Sequence, residues 1–159
     1  MENTIIAKNA EEARQMIEKA SKNKEKVIVL GRDIEFNRKI LENKRVNVLI
    51  LNHKIGKDKL KERDSGLNQV LCKIARDNNI AFAIDFNEII SSEKKEKAKI
   101  LGRIKQNIKL IKKFKNKIIV INQPEDKLSL SALFRILGAD TKLASDMSKK
   151  SALNQKECF

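Results

Sequence analysis

The chain has 159 residues, and its 35 Lys plus Arg against 21 Asp plus Glu give a formal net charge of +14. This length suits one domain, and we expect residues 1–159 to fold as a single α/β unit. Five Gly and one Pro exclude a collagen-like or low-complexity chain. So large a charge favours a polyanionic partner such as nucleic acid, although a lysine-rich proteome would raise the same count.

The residue types also indicate the composition of the core and the cellular compartment. Six Phe with no Tyr or Trp leave an aliphatic core. Cys72 and Cys158 are far apart and form no C-x-x-C pair, so neither a disulfide framework nor a zinc site is indicated. The N-terminal stretch lacks an apolar run of signal-peptide length, and no segment approaches about 18 consecutive apolar residues. We therefore expect a reduced, cytoplasmic protein with no membrane partner.

Short apolar runs alternate with amphipathic stretches along the whole chain. The first half predicts strands at 4–8, 26–31 and 46–51, with helices at 10–22 and 33–43. A basic loop follows at 52–63. The second half predicts helices at 65–78, 92–115 and 128–138, strands at 80–84 and 117–122, and a short helix within 140–152.

The near-continuous apolar strands predict a sheet that is buried on both faces, which is typical of parallel strands joined by helices. Right-handed connections between such strands leave two architectures. One is part of a (β/α) barrel, and the other is an open doubly wound parallel sheet. Periodicity does not choose between them. In either fold the connections at the carboxyl ends of the strands build the functional face.

The phrase Arg-Asp-Ser-Gly-Leu-Asn at 63–68 introduces the helix predicted at 65–78. Asp64 or Ser65 is expected to cap that helix by accepting a backbone N–H of its first turn. A cation just before a helix gains nothing from the helix dipole. Arg63 with Asn68 is therefore a candidate pair of ligand contacts, with a local pairing of Arg63 and Asp64 as an equal alternative. Lys73 lies off the apolar stripe of the helix.

Basic residues crowd the long helix and the loop after the third strand. Arg103 and Lys105 lie off the apolar stripe of the helix at 92–115, and acids are scarce beyond Glu96. Pairing at i,i+4 therefore cannot explain the excess of cations, which favours phosphate contact over a merely solvated face. The loop holds Lys54 and Lys57, and the turn after the second strand holds Arg32. We expect these cations to gather along one rim of the molecule.

Signatures of catalysis are missing from the sequence. No G-x-G-x-x-G, Walker A or G-x-S-x-G motif occurs. A metal-dependent hydrolase needs several converging ligands, and His53 is the single histidine, so we interpret it as structural or facing RNA. Asp85 is interpreted as the cap of the following FNEII segment rather than as a catalytic base.

The stretch RDSGLNQVLCKIARDNNIAFAI at 63–84 resembles the most characteristic segment of the archaeal and eukaryal ribonuclease P protein component 3 family. Three further stretches are similar to family segments in the same order. They are VIVLGRDIEFNRKILENKRVNVLI at 27–50, RIKQNIKLIKKFKNKIIVIN at 103–122 and LSLSALFRILGAD at 128–140. The likeness spans most of residues 4–145.

The resemblance implies a TIM-barrel-like fold and a non-catalytic protein subunit of ribonuclease P, which removes the 5′ leader of precursor tRNA. In that enzyme a Mg²⁺-dependent RNA supplies the active site, so the resemblance implies no catalytic residue, metal site or bound cofactor in this chain. It implies ribonuclease P RNA and protein component 2 as direct partners, other subunits of the holoenzyme as further partners, and precursor tRNA as an indirect one.

Two departures from the family matter. Family members usually run longer at the N-terminus, so we expect an incomplete barrel of about five to six strands. Gln69 stands where the family often has His; a glutamine can donate a hydrogen bond, but it cannot carry a charge.

We expect the RNA contacts to be made by cationic and amide side chains, namely Arg32, Lys54, Lys57, Arg63, Asn68, Lys73, Arg103 and Lys105. With so few aromatic residues, backbone and shape recognition should dominate over base stacking. Two other interpretations stay open: a small metal-dependent phosphoesterase on a related barrel, and a general basic RNA-binding module.

Overall fold

The computed structural model of the chain describes residues 4–58 and 63–149. Lys59 and Lys61 of the basic loop, residues 150–152 of the predicted tail helix and Cys158 lie outside the described residues.

Five parallel strands form one sheet in the order of the sequence, from β1 to β5. The strands are β1 Thr4–Ile5, β2 Ile28–Leu30, β3 Val48–Leu51, β4 Ala81–Asp85 and β5 Ile118–Ile121. The register aligns Val29 with Leu49, Leu49 with Phe82 and Phe82 with Ile118. The strands β1, β2, β3 and β5 are shorter than the apolar runs that predict them, because the ends of those runs continue into the connections, whereas β4 has the predicted length and begins one residue later.

Helices follow the strands along the chain. They are α1 Ala10–Lys22, α2 Ile34–Leu41, α3 Gln69–Asp77, α4 Phe86–Ile90, α5 Lys94–Phe114, α6 Lys127–Ile136 and α7 Thr141–Met147. Asp33 caps α2 by accepting the backbone N–H of Phe36, as its position before the apolar stripe predicts. Asp85 likewise caps the short α4.

The two faces of the sheet are buried in different ways. Val29, Leu49, Phe82 and Val120 belong to the large core that also contains the inner sides of the helices. Side chains from alternate strand positions form a second cluster, whose buried members all come from strands: Ile28, Val48, Ile50, Ala83 and Ile121. The helices therefore pack against one face.

Sequential strand order with helices on one face is the arrangement of part of a (β/α) barrel. A doubly wound sheet reverses its strand order at a switch point and carries helices on both faces. The barrel-like prediction is confirmed, and the open doubly wound alternative is wrong. The sheet ends at β1 and β5, which do not pair with each other in the described chain. None of the described helices has the length and apolar character needed to cross a bilayer.

Cys72 provides a test of the packing between α3 and the sheet. Its side chain is fully buried, and burial raises the pKa of its thiol to about 12. A raised pKa keeps the thiol protonated, and only the thiolate reacts quickly. In a Cys158→Ser variant, we expect a maleimide or Ellman's reagent to label native protein very slowly at pH 8–9 and unfolded protein at once. Fast labelling of the native state would contradict this packing.

Candidate nucleic-acid interface

The connections that leave the carboxyl ends of the strands meet at one edge of the sheet, here called the C-terminal edge. Arg32 follows β2, the loop from 52 to 68 follows β3, Asp85 ends β4 and Asn122 follows β5. Parallel strands place all of these ends together, and ligands of such folds bind at this edge.

The phrase at 63–68 is fixed between two helices. Gly66 adopts a positive φ of 70° and its carbonyl accepts a hydrogen bond of 2.8 Å from the buried Asn37 of α2. On the other side, Gln106 Nε2 donates to the Arg63 carbonyl and to Ser65 Oγ, at 3.1 and 3.2 Å. The phrase therefore ties α2 to α5 and fixes the backbone on which Arg63 is carried.

The cap of α3 is not where the sequence predicts it. The helix begins at Gln69, and Asn68 caps it by accepting the backbone N–H of Leu71 at 2.9 Å. The predicted cap at Asp64 or Ser65 is wrong, because Asp64 instead accepts the backbone N–H of Lys57 at 3.1 Å. Ser65 is buried and donates toward the Leu67 carbonyl across the turn.

His53 is fully buried and held on both ring nitrogens. Its Nδ1 lies 3.0 Å from Glu88 Oε2, and its Nε2 lies 3.2 Å from Asn107 Nδ2. The amide nitrogen of Asn107 also donates to the Ser65 carbonyl at 3.2 Å. Because that nitrogen can only donate, Nε2 accepts and Nδ1 carries the proton toward Glu88. Of its two predicted roles, the histidine takes the structural one.

The burial of Arg103 contradicts the prediction that this residue contacts RNA. The residue is 4% exposed. Its guanidinium donates to the carbonyls of His53, Ile55 and Gly56 at 2.8–3.0 Å, and its Nε donates to Asp58 Oδ1 at 2.9 Å. Every one of these acceptors lies in the loop after β3. Arg103 is therefore a positioning residue that holds this loop on α5.

Asp58 completes the same arrangement as the carboxylate partner of Arg103. Partial burial acts to raise its pKa, but hydrogen bonds from Arg103 and the Asp64 backbone, together with the charges of Arg103 and Arg63, leave the pKa lowered. A lowered pKa means that the ionised carboxylate stabilises the loop above its ordinary pKa. That contribution disappears as the pH falls through the lowered value.

The fixed loop presents free cations beside a cleft of about 480 Å³. Lys57, Arg63 and Asn68 line this cleft with residues of α2 and α5; its other lining residues are Asp33, Ile34, Glu35, Asp64, Leu67 and Gln106. Arg63 and Lys57 are exposed, and no carboxylate of the described residues lies within 4 Å of their side-chain nitrogens. The predicted pair of Arg63 and Asn68 thus faces one cleft, although the Asn68 oxygen is already used as a cap.

Arg32 and Lys54 lie along the same edge and are both exposed. Arg32 reaches the carbonyl of Ala7 at 3.4 Å, and Lys54 Nζ lies 3.3 Å from Ser91 Oγ. Lys73 and Lys105 are also exposed, but they lie within the helices α3 and α5 rather than in the connections that form this edge.

Cations are not confined to one rim. Exposed lysines also occur at the opposite edge of the sheet, in the connections that lead into the amino ends of β2, β3 and β5; they include Lys24, Lys26, Lys44 and Lys115. The expectation of a single basic rim is therefore wrong. The C-terminal edge differs in that Lys54 and Lys57 lie on a loop held by hydrogen bonds from the buried Arg103.

Replacing Arg103 tests its positioning role. An Arg103→Lys variant retains the charge but loses the planar set of donors, which leaves loop carbonyls unpaired. We expect the free energy of unfolding to fall by about 2 kcal/mol in urea denaturation, because each buried carbonyl left without a donor costs about 1–3 kcal/mol. A Lys105→Gln change on the exposed side of the same helix serves as the control, with little expected effect. Equal stability of the Arg103 variant and the wild type would contradict the assignment.

No group of three or more His, Cys, Asp or Glu side chains is placed to hold a metal ion within residues 4–58 and 63–149.

Comparison with known proteins places the chain in one family. The family model of RNase P subunit p30 matches residues 4–152. A relative from Methanococcus maripaludis, named ribonuclease P protein component 3, is 27% identical over 80% of this chain and 53% of its own length. One of the same name from Methanosarcina acetivorans is 33% identical over 69% of this chain and 43% of its own length.

A solved structure shares the fold. A chain in the cryo-EM structure of archaeal ribonuclease P with mature tRNA superposes with a TM-score of 0.72 at 22% identity, over 91% of this chain and 62% of that one. The present chain spans about half the length of the relatives it matches. Because the family model covers nearly the whole sequence, the chain belongs to the RNase P subunit p30 family.

Proposed function

We propose that this chain is a protein subunit of ribonuclease P that binds and stabilises the catalytic RNA, which removes the 5′ leader of precursor tRNA. One observation carries the proposal: the segment at 63–68, which opens the stretch that resembles the family, is held between α2 and α5 and carries Arg63 exposed at the C-terminal edge. Family membership supplies the identity of the anionic partner. The proposal places the protein in the cytoplasm.

The residues at the edge act by neutralising phosphates. Arg32, Lys54, Lys57 and Arg63 would contact the RNA backbone and release its counterions, which lowers the free energy of the folded RNA. Asn68 would contribute the hydrogen-bond donors of its amide nitrogen, and Lys73 and Lys105 would extend the contact onto α3 and α5. Hydrolysis itself would belong to the RNA, which uses Mg²⁺ bound outside this chain.

Neither alternative function gains a specific observation. A phosphoesterase needs an accessible base or metal ligands, whereas His53 is buried and engaged on both nitrogens. Asp85 caps α4 and accepts a hydrogen bond from Asn122 at 2.9 Å. A general RNA-binding module remains as an outcome of the experiment below.

An exposed apolar stripe on α6 is the surface that we propose for the protein partner, component 2. Leu128 and Ile136 are 85% and 78% exposed, and Ala132 lies between them at helical spacing. Leu130 and Phe134 on the opposite side of α6 are buried in the core. A helix that is apolar on two sides is normally covered on both, and a cleft of about 570 Å³ adjoins Ile136 at the turn into α7.

Reconstitution tests the proposed function directly. Added with component 2 to ribonuclease P RNA, the protein should restore leader removal at a Mg²⁺ concentration too low for the RNA alone. An Arg32→Gln, Lys54→Gln, Lys57→Gln variant should raise the Mg²⁺ requirement. Its slope of log affinity for RNA against log salt should fall by about one for each phosphate that the variant no longer neutralises.

A matched variant separates this edge from bulk charge. Lys24→Gln, Lys26→Gln, Lys115→Gln removes three charges from the opposite edge and should leave the Mg²⁺ requirement unchanged. RNA binding by the wild type without any stimulation of cleavage would favour a general RNA-binding module instead.

The α6 surface has its own test. A Leu128→Ser, Ile136→Ser variant should no longer bind component 2 in a pull-down or calorimetric titration, because two apolar anchors become polar, while keeping its affinity for RNA. Val70 and Ile90 are also exposed, at 54% and 60%, on other elements. A Val70→Ser, Ile90→Ser control should bind component 2 normally, and failure of both variants to bind would refute the assignment.

A further inference from the structure

The charge of this chain is concentrated in one segment. Residues 97–124 contain no Asp or Glu but carry nine Lys plus Arg, against a net charge of +14 for the whole chain. In the fold this segment runs from the first turn of α5 through β5. Within the described chain, the buried Arg103 pairs with Asp58, and Lys112 pairs with Asp140 at 3.7 Å. Beyond Lys99, no lysine of α5 has a carboxylate at helical spacing to pair with.

Several of these cations lie on the side of α5 that faces away from the sheet. Ile100, Ile104, Ile108 and Ile111 are fully buried against the sheet. The opposite side carries positions 95, 99, 102, 106, 109 and 113, which recur at spacings of four and three and therefore form one row. Lys95, Lys99, Lys109 and Lys113 are exposed members of that row. It extends along about 27 Å of helix.

Arg63 fills the gap in the middle of the row. Position 102 is a glycine, and the Arg63 guanidinium lies against it; a Cβ at that position would meet Nη1 and Cζ of the arginine. One turn later, Gln106 holds the Arg63 carbonyl at 3.1 Å. The exposed Arg63 side chain therefore crosses α5 at position 102, where the row has a glycine and so no side chain of its own.

We infer that this row binds the phosphate backbone of double-helical RNA. We call the row the α5 ridge; it consists of Lys95, Lys99, Lys109 and Lys113, together with the Arg63 side chain that lies against Gly102. The inference rests on the proposed function and adds a second surface to the C-terminal edge, continuous with it through Arg63. Flexible ammonium groups on successive turns suit phosphates that follow one another along a backbone.

The chemistry of the ridge favours a duplex over a single strand. Proteins that bind single strands combine cations with exposed aromatic rings on which bases stack. In the described length of α5 the one aromatic side chain is Phe114, which is half-buried and has the Lys113 ammonium 5.6 Å from its ring centre. A convex row of cations without stacking platforms reads backbone shape, and double-helical RNA is recognised mostly by shape and backbone.

The test measures binding of the full chain to an RNA hairpin of about 16 base pairs, to a single strand of equal length and to ribonuclease P RNA. The wild type should prefer the hairpin. A Lys95→Gln, Lys99→Gln, Lys109→Gln variant should lower the slope of log affinity against log salt by about three, because each phosphate contact contributes about one. The control Lys22→Gln, Lys26→Gln, Lys44→Gln removes the same charge from exposed positions elsewhere and should leave the slope unchanged.

A Gly102→Ala variant tests the position of the Arg63 guanidinium alone. Alanine favours a helix more than glycine does, so α5 should remain intact while the added Cβ displaces the guanidinium without removing its charge. The slope should fall by about one. Equal decreases in the ridge and control variants, no decrease in Gly102→Ala, or preference for the single strand would overturn the inference while leaving the proposed function in place. Failure of the wild type to bind ribonuclease P RNA would overturn both.

Discussion

The hydrogen bonds between Arg103 and the loop after β3 are the interaction on which the rest of the site depends. Lys54 and Lys57 carry like charges that repel each other, and ordering the backbone that carries them costs conformational entropy. Three loop carbonyls and Asp58 converge on one buried guanidinium, which fixes the path of the backbone that carries Lys54 and Lys57. The buried Arg103 thus positions exposed cations that we propose as RNA contacts.

The next turn of α5 extends this role. Gln106 and Asn107 follow Arg103 and hold the phrase at 63–68, while Asn107 also fixes His53. The outer side of the same helix carries the ridge. One helix therefore serves as the scaffold of the C-terminal edge and as a basic surface itself, which explains why its sequence mixes isoleucine, amides and lysine so closely.

Much of the fold can be predicted because its signals are local. Apolar runs such as 46–51 and 80–84 identify buried parallel strands, and the Asp33 cap follows from the residue type before an apolar stripe. The choice between a barrel-like and a doubly wound sheet cannot be made locally, since it depends on which strands pair. The cap of α3 escapes prediction for a related reason: Gly66 turns the chain so that Ser65 is buried, which moves the helix start to Gln69.

The site is harder to predict because residue type does not reveal burial. Arg103 looks like one more cation of a basic helix, yet it lies on the side of Ile100 and Asn107. Its spacing of three and four from those residues is the signal that could have identified it. The contact of Arg63 with Gly102 joins two segments that are far apart in the sequence, so no local sequence pattern predicts it.

We propose that RNA contacts the C-terminal edge and the α5 ridge but not the opposite edge of the sheet. Lysine acetylation footprinting of the complex with ribonuclease P RNA, read by mass spectrometry, measures this most directly. The predicted result is protection of Lys54, Lys57, Lys99 and Lys109, with Lys22, Lys26 and Lys44 as reactive as in the free protein. Uniform protection of all lysines, or protection of the second group alone, would contradict the claim.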